Sequence, residues 1–206
     1  MTRQEQIAKF ITRITSQAAI DNVTNQYLNP TLRHNLERYM LLLCSFPYSG
    51  HLLVGEAPGH KGCAMCGIPL TSQRILNESQ HQFIKLLKTS LTVNGNQTER
   101  TATIVWEQLE GKKDVPAFWN IFPLHPHEPG LLNINRTPNI MEVSLGLSYL
   151  DEVINILQPH TVVAIGEIAA STIENRYNGS RFVKISHPSK RGYAGFISGF
   201  AKLGLQ

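Results

Sequence analysis

Apolar residues recur along this chain with two different periods, and the switches between them outline a fold. Ile7, Phe10, Ile11 and Ile14 fall at intervals of three and four, which places them on one helical face, with Thr2 available as the N-cap. A second helix is expected after Asn29-Pro30, with Leu32, Leu36, Met40 and Leu43 on one stripe. His51-Leu52-Leu53-Val54-Gly55 is instead a short continuous apolar run stopping at Gly and Pro, as a buried strand does when it enters a loop. A helical stretch around Phe83, Ile84, Leu86 and Leu87 follows, then a polar turn region over residues 93–100 and a second strand over residues 117–122. Beyond a long loop rich in Pro, His and Asn, Asn139 is placed to cap a helix carrying Met141, Leu145, Tyr149, Val153, Ile154 and Leu157. Residues 161–166 read as a third buried strand, 167–177 as a crossover helix and 181–186 as a fourth strand, with a short helix closing the chain.

Strands that alternate with helices of crossover length pair in parallel, with right-handed connections and helices on both faces. The expected fold class is therefore α/β, a three-layer α/β/α sandwich around a central four-stranded parallel sheet. With 206 residues, 42% of them hydrophobic and 17% charged, the chain is long and apolar enough to bury a core. One domain over residues 1–206 is expected, with the helices of residues 1–48 packed on its core, since neither a repeat nor a linker interrupts it.

No apolar run approaches the about 18 residues needed to cross a bilayer, and the first twenty residues lack the pattern of a secretory leader, so a cytosolic address is expected. Three cysteines, Cys44, Cys63 and Cys66, cannot all pair with one another, and reduced thiols suit that address. Lys and Arg outnumber Asp and Glu by 19 to 15, a net +4 that is compatible with a polyanionic partner without demanding one.

In open parallel sheets ligands bind beyond the carboxyl ends of the strands. Strand one ends in Gly55-Glu56-Ala57-Pro58-Gly59, strand two in Trp119-Asn120, and strand four in Ser186-His187-Pro188-Ser189. Glu56, Asn120 and His187 are thus expected in one cleft: a carboxylate to activate water, an amide that both donates and accepts, and an imidazole to stabilise a developing oxyanion. Each of these residue types at a strand end is by itself more often structural than catalytic; their convergence favours function.

From residue 52 to residue 202 the chain resembles the uracil-DNA glycosylase superfamily, most closely its iron–sulfur, thermophile-type branch. The resemblance rests on Gly55-Glu56-Ala57-Pro58-Gly59 followed by Gly67-Ile68-Pro69-Leu70-Thr71, on Asn120, on Asn135-Arg136-Thr137-Pro138, on Val163-Ala164-Ile165-Gly166 and on His187-Pro188-Ser189. It implies a hydrolase that cleaves the N-glycosidic bond of uracil, or a deaminated base of similar shape, in DNA and leaves an abasic site. Glu56 and His187 would be catalytic, and Ala57, Pro58, Gly59, Leu70 and Asn120 would bind the base. Arg136 would order its loop or meet a phosphate, Ser189 and Lys190 would hold the DNA backbone, and Arg191 or Tyr193 would serve as the minor-groove wedge.

Two departures mark the chain. The thermophile-type branch holds its cluster on four cysteines, and none of those positions is matched: Cys63 and Cys66 lie inside the loop after strand one and Cys44 stands alone. Neither a cluster nor any other cofactor is expected, and Cys63, Cys66 and His60 make only half of a zinc site. Leu70 stands where an aromatic ring usually stacks on the base, so either the pocket is a poorer one for uracil or Phe118, Trp119 or Phe122 takes over that duty. The same departure keeps open an alternative, a catalytically inactive nucleic-acid-binding module of the same fold. A monomer acting on DNA away from membranes is expected, and His125 and His127, without a carboxylate or thiol partner nearby in sequence, are expected to bind no metal.

Overall fold

The computed structural model describes residues 1–177 and 182–206. Its elements are α1 (Arg3–Thr15), β1 (Val23–Thr24), a single 3-10 turn (Gln26–Leu28), α2 (Pro30–Leu43), β2 (Tyr48–Gly55), α3 (Cys63–Cys66), α4 (Gln73–Glu78), α5 (Gln82–Lys88) and α6 (Arg100–Glu107). They continue with β3 (Val115–Asn120), β4 (His125–Glu128), β5 (Leu131–Asn135), α7 (Ile140–Leu157), β6 (Thr161–Ile165), α8 (Glu167–Arg176), β7 (Phe182–Ile185) and α9 (Tyr193–Ala201). Arg181, expected to open the fourth strand, lies outside the described residues.

Four strands form one sheet in the order β3-β2-β6-β7, and every neighbouring pair is parallel. This is the expected α/β architecture. The chain steps from β2 outward to β3 and then returns to β6 on the other side of β2, so the order reverses at β2 and leaves a crevice beyond its carboxyl end. Local chemistry places the helices: Thr2 and Glu5 close a capping box on α1, Asn29 caps α2 with Pro30 in its first turn, and Asn139 and Glu142 close a second capping box on α7.

The two N-terminal helices share their core with the sheet. Phe10 of α1 packs edge-on against Trp119 of β3 at 5.4 Å between ring centroids, and against Tyr149 of α7 at 6.1 Å. Tyr39 of α2 reaches the outer edge of β3, where its hydroxyl accepts from Phe118 N at 2.6 Å and donates to Phe118 O at 3.3 Å. These bonds cover a backbone edge that would otherwise be open to another strand.

Residues 123–138 are not the long loop the sequence suggests. β4 and β5 form an antiparallel hairpin whose turn includes Gly130 at φ +72°, and β1 pairs with β4 to make a second, three-stranded sheet. The reason lies in the residues used. The inward positions of β4 are His125 and His127, 3% and 6% exposed, rather than aliphatic residues, while all of β5 faces solvent. Ordinary strand periodicity is therefore absent. The short helices α3, α4 and α6 also escape the apolar pattern, α6 being opened by Glu99, whose carboxylate accepts from Thr101 N and Ala102 N.

Candidate active site

The crevice begins where β2 ends. Gly55 pairs with Asn120 across the β2–β3 ladder, Ile121 N donates to Gly55 O at 2.8 Å, and Phe122 N donates to Glu56 O at 3.0 Å. The backbones that carry Glu56 and Asn120 are thus tied together residue by residue. A Cβ on Gly55 would stand 2.8 Å from Asn120 Oδ1 and 3.3 Å from Leu70 Cδ2, so glycine there lets the amide lie across the strand end. On the other side, a Cβ on Gly166, which has φ +88°, would come within 3.1 Å of His187 Cβ.

Glu56, Asn120 and His187 border a single cleft of about 360 Å³, together with Ala57, Pro58, Gly59 and Leu70. That volume is ample for one nucleobase. Asn120 is 2% exposed at the end of β3, whereas His187, just past the edge strand β7, is solvent-exposed. Ser189, Lys190 and Arg191 are exposed just outside the cleft, as is Tyr193 at the start of α9. Ser189 shapes its own turn, donating from N to His187 O at 2.8 Å and accepting from Gly192 N on Oγ at 3.3 Å.

Leu70 lines the cleft from an unusual backbone. Its φ is +49°, a left-handed conformation that residues with a branched side chain seldom adopt. Trp106 holds it there, its indole N–H donating to Leu70 O and to Thr71 Oγ1, each at 3.2 Å. The rings expected to replace an aromatic at this position do not do so. Phe118, Trp119 and Phe122 are 1%, 1% and 0% exposed, are packed in the core and do not border the cleft. At Leu70 the cleft wall is aliphatic.

Arg136 serves its own loop. Although it borders the cleft, its Nε donates to His127 O, its Nη1 to Thr137 O and Glu142 Oε2, and its Nη2 to Asn22 O and Glu142 Oε1. All five of its N–H groups are committed to protein acceptors. It therefore orders its loop, one of the two roles expected of it. Burial alone would raise the Glu142 carboxyl, but the Arg136 guanidinium and the Asn139 N–H outweigh it and hold the group below the usual carboxylate range.

His125 ties the hairpin to the glutamate loop. Its Nδ1 lies 2.8 Å from Pro58 O and its Nε2 2.9 Å from Leu132 O, and His60 N donates to Asn135 Oδ1 at 2.9 Å. His60, beside it, is held below its ordinary value by desolvation, then by His125 and Lys61. The cysteines serve packing: Cys63 Sγ lies 3.7 Å from Tyr27 Oη, and Cys66 Sγ donates to Ile68 O and Thr71 O. Burial pushes the Cys63 thiol up to about 12. Among the described residues no group of three His, Cys, Asp or Glu side chains is placed to hold a metal ion. The cleft also draws on residues that carry no sequence signal, among them Glu99 and Thr101.

The family model of the uracil DNA glycosylase superfamily matches residues 46–201. The chain belongs to that superfamily. The matched span takes in all four strands of the parallel sheet and every residue named above for the cleft. The crystal structure of wild-type SMUG2 from Pedobacter heparinus has a similar fold, with a TM-score of 0.65 over 99% of each chain at 14% sequence identity. Comparison with the curated proteins gives no match. Among the described residues, no helix of this superfamily member is long and apolar enough to cross a membrane.

Proposed function

We propose that this protein is a monomeric DNA glycosylase that hydrolyses the N-glycosidic bond of uracil, or of a deaminated base of similar shape, and leaves an abasic site. The observation that carries the reading is that Glu56, Asn120 and His187, from three different strand ends, border the same base-sized cleft. A base inside a duplex is out of reach of any such cleft, so the nucleotide is extruded into it. Asn120 then meets the base edge, its amide N–H₂ donating to an exocyclic oxygen and its Oδ1 accepting from the ring N–H beside it.

As the bond between C1′ and the base nitrogen breaks, its electron pair passes into the base and builds charge on an oxygen, to which His187 donates. One preorganised donor of this kind contributes about 3 kcal/mol. Glu56 orients the water that bonds to C1′ and receives its proton. Each group acts from the protein alone. Ser189, Lys190 and Arg191, outside the cleft, hold the flanking backbone.

Base release is to be measured on labelled oligonucleotides carrying one uracil, hypoxanthine, xanthine or mismatched thymine, with Glu56→Gln and His187→Ala beside the wild type. Release from one lesion, lost in both variants, is the expected result. No release from any lesion, with salt-sensitive DNA binding retained, would replace this reading by that of a non-catalytic nucleic-acid-binding module.

A further inference from the structure

The β4–β5 hairpin ends in Pro129-Gly130-Leu131-Leu132, and it presents apolar side chains where none is needed for the core. Leu131, Leu132 and Ile134 are 48%, 61% and 46% exposed. The hairpin is nonetheless held firmly. The His125 ring bridges Pro58 O and Leu132 O, Asn135 accepts from His60 N, and Arg136 binds His127 O while paired with the buried Glu142. Asn135 borders the cleft, and Leu131 is four residues back along the strand, about 13 Å away at strand rise. The tip is thus a rigid apolar projection within a few base-pair steps of the nucleotide the cleft would hold.

Its surroundings favour a polyanion. Lys61 and Arg100, both exposed, line the groove between hairpin and glutamate loop together with Asn133 and Asn135. Glu99 in that groove is occupied by the N–H groups of Thr101 and Ala102, and Glu128 is the one acidic residue on the hairpin itself. The hairpin follows β3 and the His187 loop follows β7, at opposite edges of the sheet, so the tip and Tyr193 stand on opposite flanks.

We infer that the Pro129–Leu132 tip is a duplex-invading wedge that fills the gap left in the base stack by the extruded nucleotide, on the flank opposite Arg191 and Tyr193. The inference rests on the glycosylase reading for its substrate, duplex DNA of the family's kind. Leu and Pro side chains are suited to this use: they slip between base steps, and their packing against the neighbouring bases offsets the lost stacking. A single strand has no such gap.

The test compares the double variant Leu131→Ala/Leu132→Ala with wild type on the same uracil oligonucleotide, as duplex and as single strand. Release from the duplex is expected to fall by about tenfold to a hundredfold while single-strand release is kept, with Leu131→Met/Leu132→Met restoring duplex activity. Equal loss on both substrates, or no loss on the duplex, overturns the inference. A second readout does not need catalysis: a duplex carrying 2-aminopurine beside the uracil should brighten on saturation with wild type or Tyr193→Ala, and not with the double alanine variant. That pattern without any base release would sink the glycosylase reading and leave the wedge standing. Equal brightening by wild type and the double variant would sink the wedge. A dimer that the double variant disrupts in sedimentation, with duplex release unchanged, would overturn it too and assign the tip to contact between copies.

Discussion

The two catalytic candidates stand on unlike ground. Glu56 follows a strand with a hydrogen-bonded neighbour on each side, and its own carbonyl accepts from Phe122, so its backbone is fixed from two directions. His187 follows β7, the edge strand, and is solvent-exposed, positioned chiefly by the close approach of Gly166 and by the turn that Ser189 closes. The difference teaches that one wall of the cleft is part of the core and the other is a loop laid against it. Changes at His187 should act on chemistry alone, whereas changes of shape around Glu56 and Asn120 should also reach packing.

The largest effect should come from the core-side carboxylate. Glu56→Gln keeps shape and removes the base, so kcat for base release should fall about a thousandfold with the melting temperature unchanged; full activity would remove Glu56 from the mechanism. Arg136→Met tests the anchor of that same wall. It leaves the Glu142 carboxylate, 2% exposed, without its partner, and should lower unfolding free energy by about 3 kcal/mol, read as a shift of the urea midpoint at constant slope. Because the folded Glu142 carboxyl is depressed below its ordinary 4.5, its contribution is present above that value and lost as pH falls through the folded one. The gap between wild type and Arg136→Met should therefore narrow on acidification, and a constant gap would show that the ion pair is not its source.

His187→Ala should slow release about a hundredfold and leave thermal stability untouched; a lower melting temperature would mean that the loop wall is structural after all. Gly55→Ala sharpens the comparison from the packed side. Its Cβ would press on Asn120 Oδ1, raising KM about tenfold with kcat less affected, a split that simple misfolding would not produce. The smallest effect concerns the thiols. Half-buried Cys44 should react with a thiol reagent in the native state well before Cys63, whose thiol burial pushes up to about 12, and before Cys66, raised likewise; three equal rates would contradict the packing described.

Much of this was legible in the chain because it is local. Helices with a capping residue and an apolar stripe, and continuous apolar runs ending in glycine, announce themselves within a dozen residues, and the tails of those runs carry Glu56, Asn120 and His187. The hairpin of residues 125–135 was not legible, since its inward residues are histidines and its outer strand faces water, which inverts the usual pattern. Nor could motif reading choose between Arg136 as loop anchor and as phosphate contact. That choice depends on Asn22, His127 and Glu142, which only folding brings around the guanidinium.

The sequence by itself determined the alternation of strands and helices, the caps that start α1, α2 and α7, and the order of polar residues at the strand ends, because these follow from spacing and short-range hydrogen bonding. Tertiary structure alone decided which strand is central, that one cleft wall is Leu70 held left-handed by Trp106, and that a hairpin clasped by His125 flanks the cleft. Those outcomes rest on contacts between residues tens of positions apart, which no local pattern records.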